Sequence, residues 1–140
     1  MTEVDPMLPP FAPDIFSEDS GRVILLGGEC TACGALSFPY QEICSHDGKP
    51  IKRRALGSRG RIYSYTVIHV RPPFGLPSPY VIGAVTLAEV PLRVVMLLDS
   101  ARLAATEIGS SVVLAAGDIG VDLSGAPCRR PFFTPDEAAR

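Results

Sequence analysis

The alternation of apolar and polar positions predicts many short strands and a single short helix. Apolar runs rich in β-branched and aromatic residues are bounded by glycine and proline, as is typical of strands. Three short strands are predicted at 22–29, 36–40 and 51–56. Longer strands are predicted at 60–70, 80–89, 92–98, 112–116 and 119–123, with a helix at 101–107 capped by Asp99 or Ser100. The fold class is therefore mainly β.

The order of these elements divides the chain into four segments. Residues 1–21 begin with a proline-rich stretch that has no strand or helix period, which predicts an extended arm. Residues 22–56 place the short strands around a cysteine-rich segment. Residues 57–124 contain three strands, a helix and two strands, the order of a five-stranded OB-fold barrel. Residues 125–140 are predicted to be a C-terminal tail.

The predicted strands at 80–89 and 92–98 are apolar on both faces. In the first, Val81 and Val85 lie on one face while Ile82 and Ala84 lie on the other. A barrel strand with one solvated face normally alternates apolar with polar residues. The outer face must therefore be covered, either by other parts of this chain or by a partner subunit.

Two metal-binding knuckles are predicted in the cysteine-rich segment. Cys30 and Cys33 form a Cys-x-x-Cys-Gly pattern, and Cys44 and Asp47 repeat it as Cys-x-x-Asp-Gly. In such a knuckle both side chains face one ion, and the glycine accepts the positive φ that the turn requires. The paired spacing predicts a zinc ribbon whose structural Zn²⁺ has four protein ligands.

The identity of the fourth ligand is open between two neighbouring residues. Asp47 is in register with the first knuckle, whereas His46 offers the imidazole that zinc takes more commonly. The alternatives to a zinc site are a ribbon that has lost its metal, a Cys30–Cys33 disulfide, or plain core cysteines.

Composition limits the class of protein. The 140 residues make one ordinary domain, or a small domain with a ribbon-sized appendage. An apolar fraction of 46% excludes general disorder, and no run approaches the roughly 18 apolar residues of a membrane span. No signal peptide is predicted, and cysteines at metal-binding spacing without an export signal favour a cytoplasmic protein that does not contact membranes.

Charge is unevenly distributed along the chain. The formal net charge is −2, yet residues 49–61 carry six basic residues and no acidic one. A single-stranded nucleic-acid-binding module is the alternative function, because Tyr63 and Tyr65 could stack on bases. The acidic total and the absence of tryptophan make a nucleic-acid partner the weaker prediction.

No catalytic residues are predicted. The sequence contains no nucleophile elbow, P-loop or dinucleotide-binding glycine pattern, and neither His46 nor His69 has a nucleophile partner nearby. Cys128 lies in the predicted tail without a second ligand and is interpreted as a bystander thiol. The chain is therefore not expected to be an enzyme on its own.

Several motifs resemble those of zinc-ribbon/OB-fold proteins that accompany thiolase-like acyl-CoA enzymes. The motifs are Cys-x-x-Cys-Gly followed by Phe-Pro at 38–39, then GRIYSYTV at 60–67, PYVIGAV at 79–85 and IGSSV at 108–112. The resemblance implies a rubredoxin-like zinc ribbon, an OB-fold and a non-catalytic accessory subunit. It also implies a hetero-oligomer with a thiolase, a hydroxymethylglutaryl-CoA synthase or a retro-aldolase of aromatic or steroid acyl-CoA degradation. Asp47 in place of a fourth cysteine is the main departure from the family pattern.

A basic stretch is predicted to contact a coenzyme A ester shared with such a partner. Guanidinium and ammonium groups form charge-assisted hydrogen bonds with phosphates. The alternative is a solvated linker between ribbon and barrel. The candidate residues are Lys52, Arg53, Arg54, Arg59 and Arg61.

A proline-rich loop at 71–79 is predicted to contact the partner. Its four prolines reduce the entropy that is lost on ordering. The candidate interface residues are Phe74, Leu76 and Tyr80. The alternative is a stiff loop that packs on its own barrel.

Overall fold

The computed structural model describes residues 15–136, whose first part forms a small antiparallel sheet. Strand β2 pairs with three others along its length. The four strands are β1 (Phe16–Asp19), β2 (Arg22–Cys30), β3 (Leu36–Ser37) and β4 (Ile51–Gly57). Only Ser58 separates β4 from the next strand, so the sheet continues directly into the second part of the fold.

The second part is a closed five-stranded barrel with the strand order β5-β6-β7-β9-β8. Its strands are β5 (Arg59–Ile68), β6 (Tyr80–Leu87), β7 (Arg93–Leu98), β8 (Ser111–Val121) and β9 (Pro127–Pro135). Two 3₁₀ segments, Pro73–Gly75 and Ser100–Ala105, connect β5 to β6 and β7 to β8. The predicted mainly β class with a five-stranded OB-fold barrel is confirmed.

The short helix predicted between β7 and β8 is present as a 3₁₀ helix. Asp99 caps it as expected, because its Oδ1 accepts a hydrogen bond of 3.1 Å from the Ala101 N–H. The helix ends when the Thr106 N–H donates to the Leu103 carbonyl, 3.0 Å away. No helix in residues 15–136 has the length and apolar character needed to cross a membrane.

The sequence predicted a C-terminal tail from residue 125. This prediction is wrong for residues 127–135, which form barrel strand β9. The two strands predicted at 112–116 and 119–123 are instead one strand, β8, with a bulge between Asp118 and Val121. Gly120, whose φ is 66°, lies in this bulge, which disturbs the ladder without ending the strand. Three of the residues in 127–135 are prolines, which cannot donate to a ladder.

The prolines of β9 are tolerated because of where their missing N–H groups would point. The Asp99 N–H on the β7 side donates to the Phe133 carbonyl over 2.9 Å. Alternate residues of a strand direct their backbone groups to the same side, so Pro131 and Pro135 also face away from β8. The long β8–β9 ladder therefore loses no donor at these positions.

The N-terminal arm also ends earlier than predicted. Residues 1–14 lie outside the described part of the chain, but Phe16–Asp19 form β1 and pair with β2. Ser20 and Gly21 both have positive φ, 53° and 77°, and form the two-residue hairpin turn. The Phe16 ring is only 5% exposed, and its burial stabilises β1. Four residues are too few for an alternation of apolar and polar positions to predict this strand.

One hydrophobic core joins the small sheet to the barrel. Leu25 and Leu56 from the sheet have no exposed surface and pack in the same cluster as Val85 and Phe133 of the barrel. At about 25 cal/mol per Å² of apolar surface removed from water, such shared burial is a strong link between the two parts.

An ion pair adds a polar link between the same two parts. Arg129 on β9 donates through Nε to Glu18 Oε1 on β1 over 3.0 Å, and through Nη2 to the other carboxylate oxygen. Its Nη2 also donates to the Ala116 carbonyl at 3.0 Å. The hydrogen bond with Glu18 raises the pKa of Arg129, and both side chains are mostly buried. This pair stabilises the orientation of β1 against the barrel.

Candidate metal centre

The two knuckles have the same backbone geometry. The Gly34 N–H donates to the Cys30 carbonyl at 3.1 Å, and the Gly48 N–H donates to the Cys44 carbonyl at 2.9 Å. In both, the cysteine N–H also donates to the carbonyl five residues later, at 2.9 Å. Gly34 and Gly48 have φ values of 76° and 70°, which a residue with a Cβ rarely adopts. Local hydrogen bonds thus position each pair of side chains.

Four ligand groups from the two knuckles converge. Ligand atoms of Cys30, Cys33, Cys44 and Asp47 all lie within 4.8 Å of one another. The Cys33 and Cys44 sulfurs are 3.7 Å apart, and each Asp47 oxygen is 3.5 Å from the Cys30 sulfur. With Zn–S bonds of about 2.3 Å and Zn–O of about 2.1 Å, a tetrahedron has edges of about 3.8 and 3.6 Å. The cluster could therefore hold one tetrahedral ion.

Backbone dipoles favour the charged forms of two of these groups. The N–H groups of Cys33 and Ala32 point at the Cys30 sulfur, each at 3.4 Å, and the first contributes most to lowering the pKa of Cys30. The Lys49 N–H donates to Asp47 Oδ1 at 2.9 Å and lowers the pKa of that carboxyl. A thiolate and a carboxylate side by side are the donors that a divalent cation requires.

The remaining thiol responds in the opposite direction. At Cys33 the Ala35 N–H lowers the pKa, but the hydrogen bond with Cys30 and desolvation together outweigh it and raise the pKa to about 11. Without a cation, neighbouring anionic groups disfavour a second thiolate. A bound cation would remove this repulsion and allow all the ligands to ionise.

His46 takes part through its backbone rather than through its ring. Its N–H donates to the Cys44 sulfur over 3.4 Å, while its imidazole nitrogens are not among the converging ligand atoms. The alternative of a Cys30–Cys33 disulfide does not occur, because the cysteines are all free. Of the two candidates for the fourth position, the structure places Asp47 in the cluster.

Two of the five basic candidates share one acidic partner on the sheet. Arg54 Nη1 is 3.3 Å from Glu29 Oε1, and Lys52 Nζ is 4.0 Å from the same oxygen. Arg53 lies on the opposite face of β4, with its guanidinium 4.2 Å from the centre of the Tyr40 ring. The strand period of two therefore divides these three cations between two faces.

The other two basic candidates lie on β5 and have different partners. Arg59 Nη1 is 2.6 Å from Asp136 Oδ2, and Arg61 Nη1 donates to the Gly109 carbonyl at 3.0 Å. The predicted basic patch is consequently not one cluster but several charged positions along β4 and β5.

The proline-rich loop packs on the barrel through its backbone. A Cβ built on Gly120 would come within 2.3 Å of the Phe74 carbonyl oxygen, so β8 can approach the loop only with glycine at this position. The Phe74 ring remains 45% exposed. Tyr80 is only 8% exposed at the start of β6, and this burial does not fit its predicted role as an interface residue. Leu76 is partly buried.

Cys128 is a core residue of β9 and not a thiol in a tail. It has no exposed surface, and its sulfur is 3.7 Å from the Ile119 carbonyl oxygen. Neighbouring Arg130 donates to the Val121 carbonyl at 2.7 Å, and its guanidinium lies 5.8 Å from the centre of the Phe74 ring. Sequence reasoning missed this arrangement, because Cys128, Arg130 and Phe132 and their neighbours do not alternate between apolar and polar residues.

Comparison with known sequences supports the OB-fold and finds similar proteins. Residues 53–116 match the family described as the ChsH2 C-terminal OB-fold domain. A DUF35 domain-containing scaffold protein of Methanocaldococcus jannaschii is 37% identical over 71 residues, which cover 49% of this chain and 50% of that protein. The benzoylsuccinyl-CoA thiolase subunit BbsA of Geobacter metallireducens is 32% identical over 89 residues, which cover 62% of this chain and 60% of that subunit. The chain spans between half and three fifths of the length of these two relatives.

A solved structure extends the similarity over most of the chain. The Ltp2-ChsH2(DUF35) aldolase contains a chain with a TM-score of 0.62 and 31% sequence identity. The match covers 80% of the present chain and 84% of that chain, so it includes most of both proteins. The resemblance inferred from the sequence motifs is confirmed. The chain therefore belongs to the DUF35/ChsH2 family of OB-fold proteins.

Proposed function

We propose that this protein is a non-catalytic accessory subunit of a thiolase-like acyl-CoA enzyme, either a thiolase or a retro-aldolase acting on aromatic or steroid acyl-CoA. The observation that supports this most is the similarity over most of the chain to the DUF35 chain of an aldolase complex. A thiolase subunit and a scaffold protein among the relatives support the same class of function.

The metal centre has a structural role in this proposal. Zn²⁺ would bind Cys30, Cys33, Cys44 and Asp47, the groups whose spacing fits a tetrahedral ion. With four protein ligands the metal would supply a cross-link between the two knuckles. The ribbon would then present a fixed surface beside the barrel.

The isolated chain is expected to have no turnover on acyl-CoA esters, and activity is expected to appear only with a thiolase-fold partner. The measurement is thiolysis and retro-aldol cleavage of aromatic and steroid acyl-CoA esters by the chain, the partner and their mixture. A His69→Ala variant serves as the control for hidden catalysis. Turnover by the chain alone that His69→Ala abolishes would overturn the accessory role.

A coenzyme A ester would be bound jointly by this chain and its partner, with phosphates held by cations of β4 or β5. Lys52 and Arg54 support this because the two cations share the one carboxylate of Glu29, so that among these three side chains of residues 15–136 one positive charge is in excess. Since hydrogen bonds to charged groups contribute about 1.5–3 kcal/mol, loss of one contact should raise KM for the ester roughly tenfold or more.

Because neighbouring cations lie on opposite faces of β4, single variants can show which face contacts the phosphates. Arg53→Ala and Arg54→Ala are measured individually in the assembled complex, because their side chains point in opposite directions. An increase in KM for one variant with kcat unchanged identifies the face that contacts phosphate. Equal KM values for both variants and the unchanged protein would exclude β4 from the site.

The half-exposed Phe74 ring is proposed as an anchor at the partner interface. Its loop is held on β8 through the contact at Gly120, so the ring is presented on a firm base. Truncating an aromatic anchor typically costs about 2 kcal/mol of binding, or roughly thirtyfold in affinity. Phe74→Ala should weaken assembly by this factor while the isolated chain keeps its melting temperature, as measured by titration calorimetry and thermal unfolding. Ile108→Ala, which removes an exposed side chain elsewhere, is the matched control, and equal affinities for the two variants would contradict the anchor role.

A further inference from the structure

A groove of about 550 Å³ lies on the outer side of the barrel, where β7 and β9 separate. Among the described residues these strands are paired only at Leu98 and Phe133. Pro131, two residues before Phe133, directs its nitrogen toward β7 but has no N–H to donate. The ladder therefore stops at this proline, and the gap beyond it is the groove.

The surface of the groove is apolar and is formed by both parts of the fold. Residues 93–97 of β7 form its floor together with Ile82, while Phe38 and Pro39 of the ribbon form one wall. Val95 in the floor is 67% exposed, although it is apolar and lies in the middle of β7. The ribbon thus covers only part of the apolar outer face that the sequence predicted.

We propose that the N-terminal segment, residues 1–14, docks into this groove. Ile15, the first described residue, itself lines the groove, and its carbonyl accepts a hydrogen bond of 2.8 Å from the Leu26 N–H. The segment that precedes it must therefore start at the edge of the groove. Extended chain spans at most about 3.6 Å per residue, so in the proposed arrangement Phe11 could reach up to about 14 Å along the groove from Ile15. Five residues of β7 extend over a similar length, about 16 Å.

The composition of the segment matches the groove. Residues 1–14 contain four prolines, which favour an extended conformation without internal hydrogen bonds, and the apolar side chains of Met7, Leu8 and Phe11. Proline-rich segments bind apolar grooves in this conformation because little further entropy is lost on docking.

Charge supports the same occupant. Residues 1–14 carry three carboxylates, those of Glu3, Asp5 and Asp14, and no basic side chain. The groove is lined by two arginines, Arg93 and Arg130, and by no acidic residue of the described chain. An acidic apolar segment is therefore attracted to the positive charge of the lining, of which Arg93 is exposed and Arg130 buried, as well as to its apolar surface.

The docking can be tested in the full chain by methyl NMR. The Leu8→Ser/Phe11→Ser double variant is compared with the unchanged protein and with Thr2→Ala as the matched control. The methyl resonances of Val95 and Leu97 in the floor should shift in the double variant only. The methyl groups of Leu123 and Ile108, which lie outside the groove lining and are 92% and 70% exposed, should not shift. In the unchanged protein, nuclear Overhauser contacts are expected between the Phe11 ring and the Val95 methyl groups.

Three results would overturn the proposal. Floor resonances that are the same in the double variant and the unchanged protein would show that the segment does not occupy the groove. A dependence of these resonances on protein concentration would assign the groove to a second copy of the chain. Their perturbation only after addition of a thiolase-fold partner would make the groove part of the intersubunit surface.

Discussion

Cys44→Ser is expected to abolish the proposed binding of one Zn²⁺ per chain and to disorder the two knuckles while the barrel remains folded. Cys44 is buried and its sulfur lies 3.7 Å from that of Cys33, so serine would remove a ligand from the centre of the cluster. Structural zinc contributes about 10–16 kcal/mol of apparent binding free energy in small zinc-binding peptides. The small cluster of Cys30, Cys44 and Ile51 has few other apolar contacts to replace the cross-link. Elemental analysis and thermal unfolding measure the two effects.

Two further variants control this prediction. Cys128→Ser removes a cysteine that lies in the barrel, and the variant protein should still bind the metal. Asp47→Ala should lower metal content, whereas His46→Ala should not, because only the aspartate oxygens converge with the sulfurs. Metal lost from His46→Ala but retained in Asp47→Ala would reassign the fourth ligand. A metal-free preparation with an unchanged melting temperature would exclude a structural role for zinc.

Phe133→Ala is expected to destabilise the barrel by about 3–5 kcal/mol, the usual cost of removing a buried phenylalanine. The ring is 1% exposed in the common core, and its strand closes the barrel between β7 and β8. Because a domain is typically stable by only about 5–15 kcal/mol, this change should lower the melting temperature by about 10 °C or more. Chemical denaturation with circular dichroism provides the free energy of unfolding.

The matched control for this experiment is a leucine in the turn before the same strand. Leu123 is 92% exposed, so Leu123→Ala should change the free energy of unfolding by less than about 0.5 kcal/mol. Ending the chain after residue 124 should prevent barrel closure altogether. If the chain without residues 127–135 is folded and unfolds cooperatively, β9 is dispensable. The prediction that these residues form a tail outside the stable domain would then be correct.

The sequence alone was sufficient to predict the two knuckles and the type of fold. Each knuckle depends on hydrogen bonds between residues no more than five positions apart, so the spacing of Cys30, Cys33, Cys44 and Asp47 already implies that their side chains converge. The strands β5, β6 and β7 were also predictable, because their hydrophobic runs are long and bounded by turn residues. These are local properties, and local sequence carries the information for them.

Only the tertiary structure decided where the C-terminal residues and the charged side chains lie. Residues 127–135 become a strand because Pro131 can point its nitrogen away from β8, which no pattern within nine residues reveals. Arg129 finds Glu18 across 111 positions of the chain, and the cations of β4 are divided between two faces by partners such as Glu29 and Tyr40. The Arg129–Glu18 pair forms only once the sheet has packed against the barrel, and the partners of the β4 cations are set by the pairing of strands and segments that are distant in sequence.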